Sequence, residues 1–343
     1  MKILFLGETY RADAQTWIQG IQTVSGVKID TKELPRTGSR MARMIEAIKF
    51  FSNLIFSREQ YDISLAERST SYGFFSLFVN AKVRVVAQQG ISDVYPEHGF
   101  AGWYKKKLQT AIYRRAELIH AWGWVMTPAM LECGADPARI LVKPKGLNLD
   151  RFRFEAPAQK QSNSAIVTRS LYPIYRHSEI IDAAKILKSK GIHMECKLIG
   201  DGELFDSLVQ KSKDQGVEDM IQFEGRIDNH DLPNFLRQAQ VYISVPETDG
   251  VSASLFEAMA CGCFPIVTDL SANRAFIKDG FNGFLIPVGN VEALAEGIEK
   301  FLNSPEKYEE GIRFNRAYIE KNCDLKKNME FFFDQYQKAL YSK

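Results

Sequence analysis

Short apolar runs rich in β-branched residues alternate with longer amphipathic stretches along the whole chain. That rhythm points to α/β architecture with parallel sheets. In the front half the strand candidates are Lys2–Leu6, Val27–Leu34, Asp62–Ala66, Val83–Ala87, Leu118–Trp122 and Ile140–Lys143. Helical patterns fall between them, over residues 12–22, 40–57, 101–116 and 125–133. The polar stretch from Glu155 to Ser164 contains Pro157, lacks apolar periodicity and reads as a linker. Behind it the alternation restarts, with strands at Ala165–Thr168, Glu195–Ile199, Ile221–Glu224, Val241–Val245, Phe264–Thr268 and Gly283–Ile286. Helices are expected near 178–190, 203–215, 231–239, 252–261 and 291–303, and the tail 325–341 keeps a helical apolar stripe. The domain reading is therefore 1–155, a linker at 156–163, a second domain at 164–325 and a terminal helix at 326–343.

A length of 343 residues suffices for two hydrophobic cores, and 45% hydrophobic with 25% charged residues is ordinary for a soluble protein. The apolar run Ile3–Leu6 is too short, and too soon followed by Glu8, for a signal peptide; it reads as a buried strand. No stretch approaches the roughly 18 apolar residues of a membrane span, so a cytoplasmic protein is expected. The cysteines at 133, 196, 261, 263 and 323 are odd in number and read as reduced, packed thiols. Cys261-Gly-Cys263 is too short for a zinc or redox pair, so no structural metal is expected. The net charge of +2 is uneven: residues 1–160 hold 23 Lys+Arg against 15 Asp+Glu (+8), and residues 161–343 hold 21 against 27 (−6). A basic front half and an acidic back half suggest domains that face different partners.

The segment most informative about chemistry runs from Val241 to Thr268 and reads as strand, loop, helix, glycine, strand. Its first strand ends at Pro246 and delivers Glu247 and Asp249 to the C-terminal edge of the sheet, where open α/β sheets bind ligands. Gly250 permits close backbone approach, and Val251 and Ser252 open a helix whose unpaired N–H groups favour anions. Ser254, followed three residues later by Glu257, matches a capping box. An ordinary capped helix is the other reading of the same residues.

With Asp249, seven residues, Glu257 and then Ala-Met-Ala-Cys-Gly-Cys-Phe-Pro265, this segment resembles the signature of group 1 glycosyltransferases, the retaining family 4. One residue is extra before the proline. Leu198-Ile-Gly200-Asp-Gly202, Phe223-Glu-Gly225-Arg226, the stretch Lys145 to Phe152 and Asp279-Gly-Phe-Asn-Gly283 resemble further family segments. The resemblance implies two Rossmann-like domains with parallel sheets facing a cleft (GT-B), and a C-terminal helix returning to the N-terminal domain. It implies transfer of a sugar from a nucleotide-diphosphate donor to a glycan, lipid-linked or small-molecule hydroxyl, in cell-envelope polysaccharide or glycolipid synthesis. No cofactor or metal is implied.

Roles follow from the same resemblance. Glu257 would accept hydrogen bonds from ribose hydroxyls, Asp249 would hold hydroxyls of the donor sugar, and the amides of Val251 and Ser252 would meet sugar or phosphate. Gly200, Gly225, Arg226, Gly250 and Glu247 complete the donor side. Arg169 matches the family arginine that neutralises charge growing on the departing phosphate. The family lysine falls on Tyr175, with Arg176 as its replacement or a solvated helix-start cation. Asp at 249 is one methylene shorter than the usual Glu, so Glu247 is a candidate to share its role. Gln89 stands where many relatives carry histidine, His98 lies nearby, and Gly7 matches weakly a glycine-rich loop on the acceptor side.

The basic amphipathic stretches 40–57 and 103–115 admit two readings: attachment to an anionic membrane surface at the inner face of the membrane, or core helices with snorkelling cations. No recognition motif accompanies the charge, so nucleic acid is not an expected partner. A nicotinamide dehydrogenase would need a Gly-x-Gly-x-x-Gly after the first strand, which is absent. An epimerase of the same fold and a non-catalytic sugar-nucleotide binder remain as alternatives.

Overall fold

The structure is a computed structural model and describes residues 1–35, 39–88 and 99–342. The chain divides into two compact units, one of residues 1–146 with 325–343 and the other of residues 147–324. Unit 1 runs β1 (Ile3–Leu6), α1 (Ala12–Ser25), β2 (Ile29–Lys32), α2 (Arg40–Ile55), β3 (Tyr61–Ala66), α3 (Ser71–Ser76), β4 (Ala81–Ala87), α4 (Phe100–Arg115), β5 (Leu118–Ala121), α5 (Thr127–Glu132) and β6 (Ile140–Val142). Its parallel sheet has the order β2-β1-β3-β4-β5-β6. The strands of unit 2 are β7 (Ser164–Val167), β8 (Glu195–Ile199), β9 (Ile221–Gly225), β10 (Val241–Ser244), β11 (Phe264–Thr268) and β12 (Phe284–Ile286), in the parallel order β12-β11-β10-β7-β8-β9. Its helices are α6 (His177–Ser189), α7 (Phe205–Asp214), α8 (Leu232–Gln238), α9 (Ala253–Ala260), α10 (Ser271–Arg274), α11 (Val291–Leu302) and α12 (Glu309–Asn322). The last helix, α13 (Leu325–Tyr341), belongs to unit 1.

Both sheets reverse their strand order once, between β1 and β3 in unit 1 and between β7 and β10 in unit 2. Such switch points open a crevice at the carboxyl ends of the flanking strands. The inner strands β1, β5, β7, β10 and β11 are buried on both faces, as near-continuous apolar runs require, while the edge strands β2, β6 and β9 are partly exposed.

In unit 1, α13 is fixed by an aromatic core. Trp17 Nε1 donates to the Tyr336 hydroxyl at 3.1 Å, and that hydroxyl lies 2.7 Å from His120 Nε2. Burial, and then the charge of Lys145, push His120 down to about 3, so the ring is neutral. On the other helical layer Phe50 and Phe51 of α2 pack on Tyr72, Phe74, Phe75 and Phe78 in and beside α3.

Three features depart from the sequence reading. The stretch expected as a linker, 156–163, lies inside unit 2: Lys160 is buried and its ammonium donates to the carbonyls of Leu236 and Arg237 at 3.1 and 3.0 Å. The crossing falls instead at Gly146–Leu147. Helix α12, which the apolar pattern did not reveal, buries polar Asn315 in mutual hydrogen bonds with Asn282 of 2.7 Å each. The short helix α3 also went unread, because aromatic crowding over six residues gives no period to count. All five cysteines are buried free thiols.

Candidate active site

Unit 2 gathers most of the expected site at its switch point, where the loops after β7 and β10 meet. The Glu247 N–H donates to the Ile174 carbonyl at 2.9 Å, tying one loop to the other. Across that seam the Arg169 guanidinium pairs with the Asp249 carboxylate and donates to Ser252 Oγ at 3.0 Å. Its third side is the Tyr175 ring, 5.0 Å from the guanidinium carbon to the ring centroid. Asp249 also accepts the Gly250 N–H at 2.8 Å. A cation held on three sides at a strand end is preorganised before any substrate arrives.

Gly200, expected to touch the donor, holds up this loop from behind together with Gly202. A Cβ on Gly200 would lie 2.2 Å from the Arg169 carbonyl oxygen, and one on Gly202 would lie 2.5 Å from that of Leu171. The Gly200 N–H in turn donates to Gly225 at 2.9 Å, so two of the sequence segments are joined through their backbones. Arg226 is exposed beside them.

Helix α9 starts one residue later than expected, at Ala253, with Ser252 as its N-cap. Ser252 Oγ accepts the Leu255 N–H at 3.3 Å, so Ser252, and not Ser254, caps the helix. Glu257 does not reach back to close a capping box; it stands further along α9, mostly enclosed. Burial raises its carboxyl to about 7, against the lowering charges of Arg151 and Arg169. Among the described residues its carboxyl makes no hydrogen bond. Val251 packs against the core under α9.

Arg176 sits in left-handed backbone (φ 53°) just before α6 and pairs with Glu179. Its hydrogen bond to the Glu179 carboxylate raises its pKa, burial opposes this, and the charges of Glu179 and Glu247 add to the rise. It lies beside the seam with its guanidinium committed to its own helix start.

Sequence reasoning missed two neighbours of Arg169. Tyr175 is its stacking partner. His177, the first residue of α6, is 1% exposed, and neither ring nitrogen has a hydrogen-bond partner among the described residues. Burial, then the Arg169 charge, lower it to about 4. Arg169 Nε and Thr168 Oγ1 are likewise buried and without a partner there. Buried polar atoms are seldom left so, and these cluster around one cation. A polar side chain immediately after an apolar strand was the readable signal.

Unit 1 has its own polar cluster at the β1/β3 switch point. Glu67 is fully buried, accepts the Glu8 N–H at 2.8 Å and lies 4.0 Å from Arg11 Nε. Burial raises its pKa. Gly7 is there because a Cβ would lie 2.8 Å from that of Glu67. Lys145 is held 3.0 Å from the Asp13 carbonyl and 4.8 Å over the Trp122 ring, and burial lowers its pKa. Gln89 and His98 lie outside the described residues. Among the described residues no group of three or more His, Cys, Asp or Glu is placed to hold a metal ion, and no helix is long and apolar enough to cross a membrane.

Comparison with known proteins bears on the family and the fold. Residues 149–318 match the family described as Glycosyl transferases group 1. The chain is 25% identical to the UDP-Gal:alpha-D-GlcNAc-diphosphoundecaprenol alpha-1,3-galactosyltransferase of Escherichia coli, over 84% of this chain and 81% of that protein. It is 29% identical to the amylovoran biosynthesis glycosyltransferase AmsK of Erwinia amylovora, over 55% of this chain and 48% of the other. Among solved structures, Anabaena Alr3699/HepE in complex with UDP and glucose superposes with a TM-score of 0.78 at 15% identity, covering 98% of this chain and 99% of that one. Sucrose-phosphate synthase of Thermosynechococcus elongatus gives 0.80 at 14% identity, with full coverage of both chains. At such identities the likeness carries the fold, GT-B, and no more.

Proposed function

The chain belongs to the group 1 glycosyltransferases, and from that premise we propose that it moves a hexose, with retention of anomeric configuration, from a nucleoside-diphosphate sugar to a hydroxyl of a glycan or lipid-linked acceptor. Cell-envelope polysaccharide synthesis is the setting suggested by the galactosyltransferase and AmsK relatives.

The observation that carries the reading is Arg169, fixed by Asp249, Ser252 and Tyr175 while its Nε and the nearby His177 and Thr168 polar atoms stay unsatisfied. A diphosphate supplies the acceptor atoms this cluster lacks. Negative charge grows on the β-phosphate as the glycosidic bond breaks, and Arg169 and the N–H groups at the start of α9 compensate it. Asp249 keeps lone pairs for a sugar hydroxyl, and Glu257 takes ribose hydroxyls. The acceptor oxygen bonds to the anomeric carbon on the face the phosphate leaves. The acceptor proton passes to a β-phosphate oxygen, so no enzyme nucleophile is required. Charge compensation in this scheme needs no divalent cation.

A thermal-shift panel of nucleotide sugars identifies the donor, and NMR of the product of that donor with lipid-diphosphate and glycan acceptors reads the anomeric configuration. Inverted product refutes retention. Donor hydrolysis or epimerisation indifferent to every acceptor refutes transfer.

A further inference from the structure

Helix α2 has two apolar stripes. One carries Phe50 and Phe51, packed on aromatic residues in and beside α3, and the buried Leu54. The other follows i, i+3, i+4, i+7 spacing through Met41, Met44, Ile45 and Ile48 and continues to Ile55. It faces outward, with Met41 70% exposed, Met44 61% and Ile48 59%, and Phe56 follows the helix at 83%. Snorkelling cations do not account for this, since the apolar side chains themselves are out. A soluble fold has no use for an uncovered ridge of this length.

A second exposed apolar group lies on α4, which packs against α3 from its own side: a Cβ on Gly73 of α3 would meet Ile112 of α4 at 3.2 Å. At the start of α4, Phe100 and Trp103 stack at 5.7 Å between centroids, and Tyr104 is exposed beside them. Lys105, Lys106 and Lys107 follow directly, with Arg114 and Arg115 in the last turn and no acidic residue in the helix. Helix α2 adds Arg40, Arg43 and Lys49 against Glu46 alone, which pairs with Lys49 at 2.7 Å.

We propose that the Met41–Ile48 ridge of α2 and the Phe100–Trp103–Tyr104 start of α4 form a surface that inserts shallowly into an anionic lipid bilayer. The charge decides the occupant. Aliphatic side chains, an exposed tryptophan and tyrosine, and a helix whose five cations stand without any acidic residue of its own sequence match the acyl boundary, the headgroup level and the anionic phosphates respectively. A second copy of the chain would bring like charges together. The inference rests on the proposed lipid-linked acceptor only for its purpose: such a surface would hold unit 1 where an acceptor anchored in the bilayer is presented.

The test is co-sedimentation of the full chain with vesicles of phosphatidylcholine alone and of phosphatidylcholine mixed with phosphatidylglycerol, without donor or acceptor. Binding is expected to the mixed vesicles only. It should weaken at least tenfold in Met44→Glu/Ile48→Glu, and similarly in Lys106→Glu/Lys107→Glu, where about two favourable cations become repulsive. Circular dichroism and melting temperature check that each variant is folded, and substitution to Gln at 44 and 48 gives a milder second pair. Absence of binding to anionic vesicles overturns the proposal. So does binding that ignores the ridge substitutions, or a dimer in solution that those substitutions dissolve. None of these readouts involves sugar transfer, so transfer can fail while the surface stands, and the reverse.

Discussion

Replacing Glu257 with Gln should stabilise the free protein while weakening its grip on nucleotide. Burial lifts the carboxyl from 4.5 to about 7 in the fold. At ~1.4 kcal/mol per pH unit the shift corresponds to about 3 kcal/mol, and to about 2 kcal/mol once the partly exposed side chain is discounted for solvent screening. Because the folded pKa lies above the unfolded one, the fold binds the proton more tightly. The stability it confers is fully present below about pH 4.5, falls as pH rises through about 7, and levels off above. Glutamine holds the neutral state at every pH. Differential scanning calorimetry at pH 5 and pH 8 should therefore show little difference between the two proteins at pH 5. At pH 8 the variant should melt about 4–8 °C higher, given 2–4 °C per kcal/mol for a unit of this size. Ribose hydroxyls favour the ionised carboxylate, so nucleotide binding by the native protein should release a proton near pH 6. Calorimetry in two buffers of different ionisation enthalpy reads that proton, and the variant should release none. Parallel pH–stability curves for the two proteins would refute the assignment of a neutral-leaning, buried carboxyl.

Arg169→Ala should lower kcat/KM by roughly 10²–10³, the usual consequence of removing a preorganised donor, whereas Arg176→Ala, whose guanidinium serves Glu179, should lower it less than about tenfold; steady-state kinetics with one donor orders the two. Tyr175→Phe keeps the ring face under Arg169 and should be nearly neutral, while Tyr175→Ala should reduce kcat by about three- to tenfold, as loss of a cation–π contact of ~1 kcal/mol implies; equal losses in both would point to the hydroxyl instead. Gly200→Ala should destabilise by more than about 2 kcal/mol in urea unfolding, against about 1 kcal/mol for Gly216→Ala, where φ is 65° and no atom lies within 4 Å of the new Cβ. EDTA should leave transfer unchanged.

The parallel α/β plan was legible because doubly buried strands are continuous apolar runs that few other elements imitate. The terminal helix was legible because Leu325, Met329, Phe332, Tyr336 and Leu340 keep one unbroken stripe. Helix α12 was hidden by Gly311, Asn315 and a mostly polar surface, all of which make sense only beside the Asn282 turn. The boundary was misplaced for a related reason: a polar, proline-containing segment looks solvent-exposed, yet Lys160 finds two carbonyls to satisfy it. At the site, the motif residues Asp249, Ser252, Gly200 and Arg169 were all readable. Their relation was not, because contacts between loops eighty residues apart leave no spacing to read. Tyr175 and His177 stand out only once Arg169 is seen beside them.

The aromatic knot that joins Trp17, His120 and Tyr336 has a consequence for how the protein is made. A chain emerging from the ribosome exposes β1 to β6 early, but the hydroxyl that satisfies Trp17 and His120 arrives some two hundred residues later, with α13. Unit 2, contiguous in sequence, is free to finish first although it is synthesised second. The N-terminal sheet meanwhile keeps uncovered the part of its face beside α1, over β3 and β4, so the earlier half of the molecule is the later to mature and the half more in need of chaperone protection.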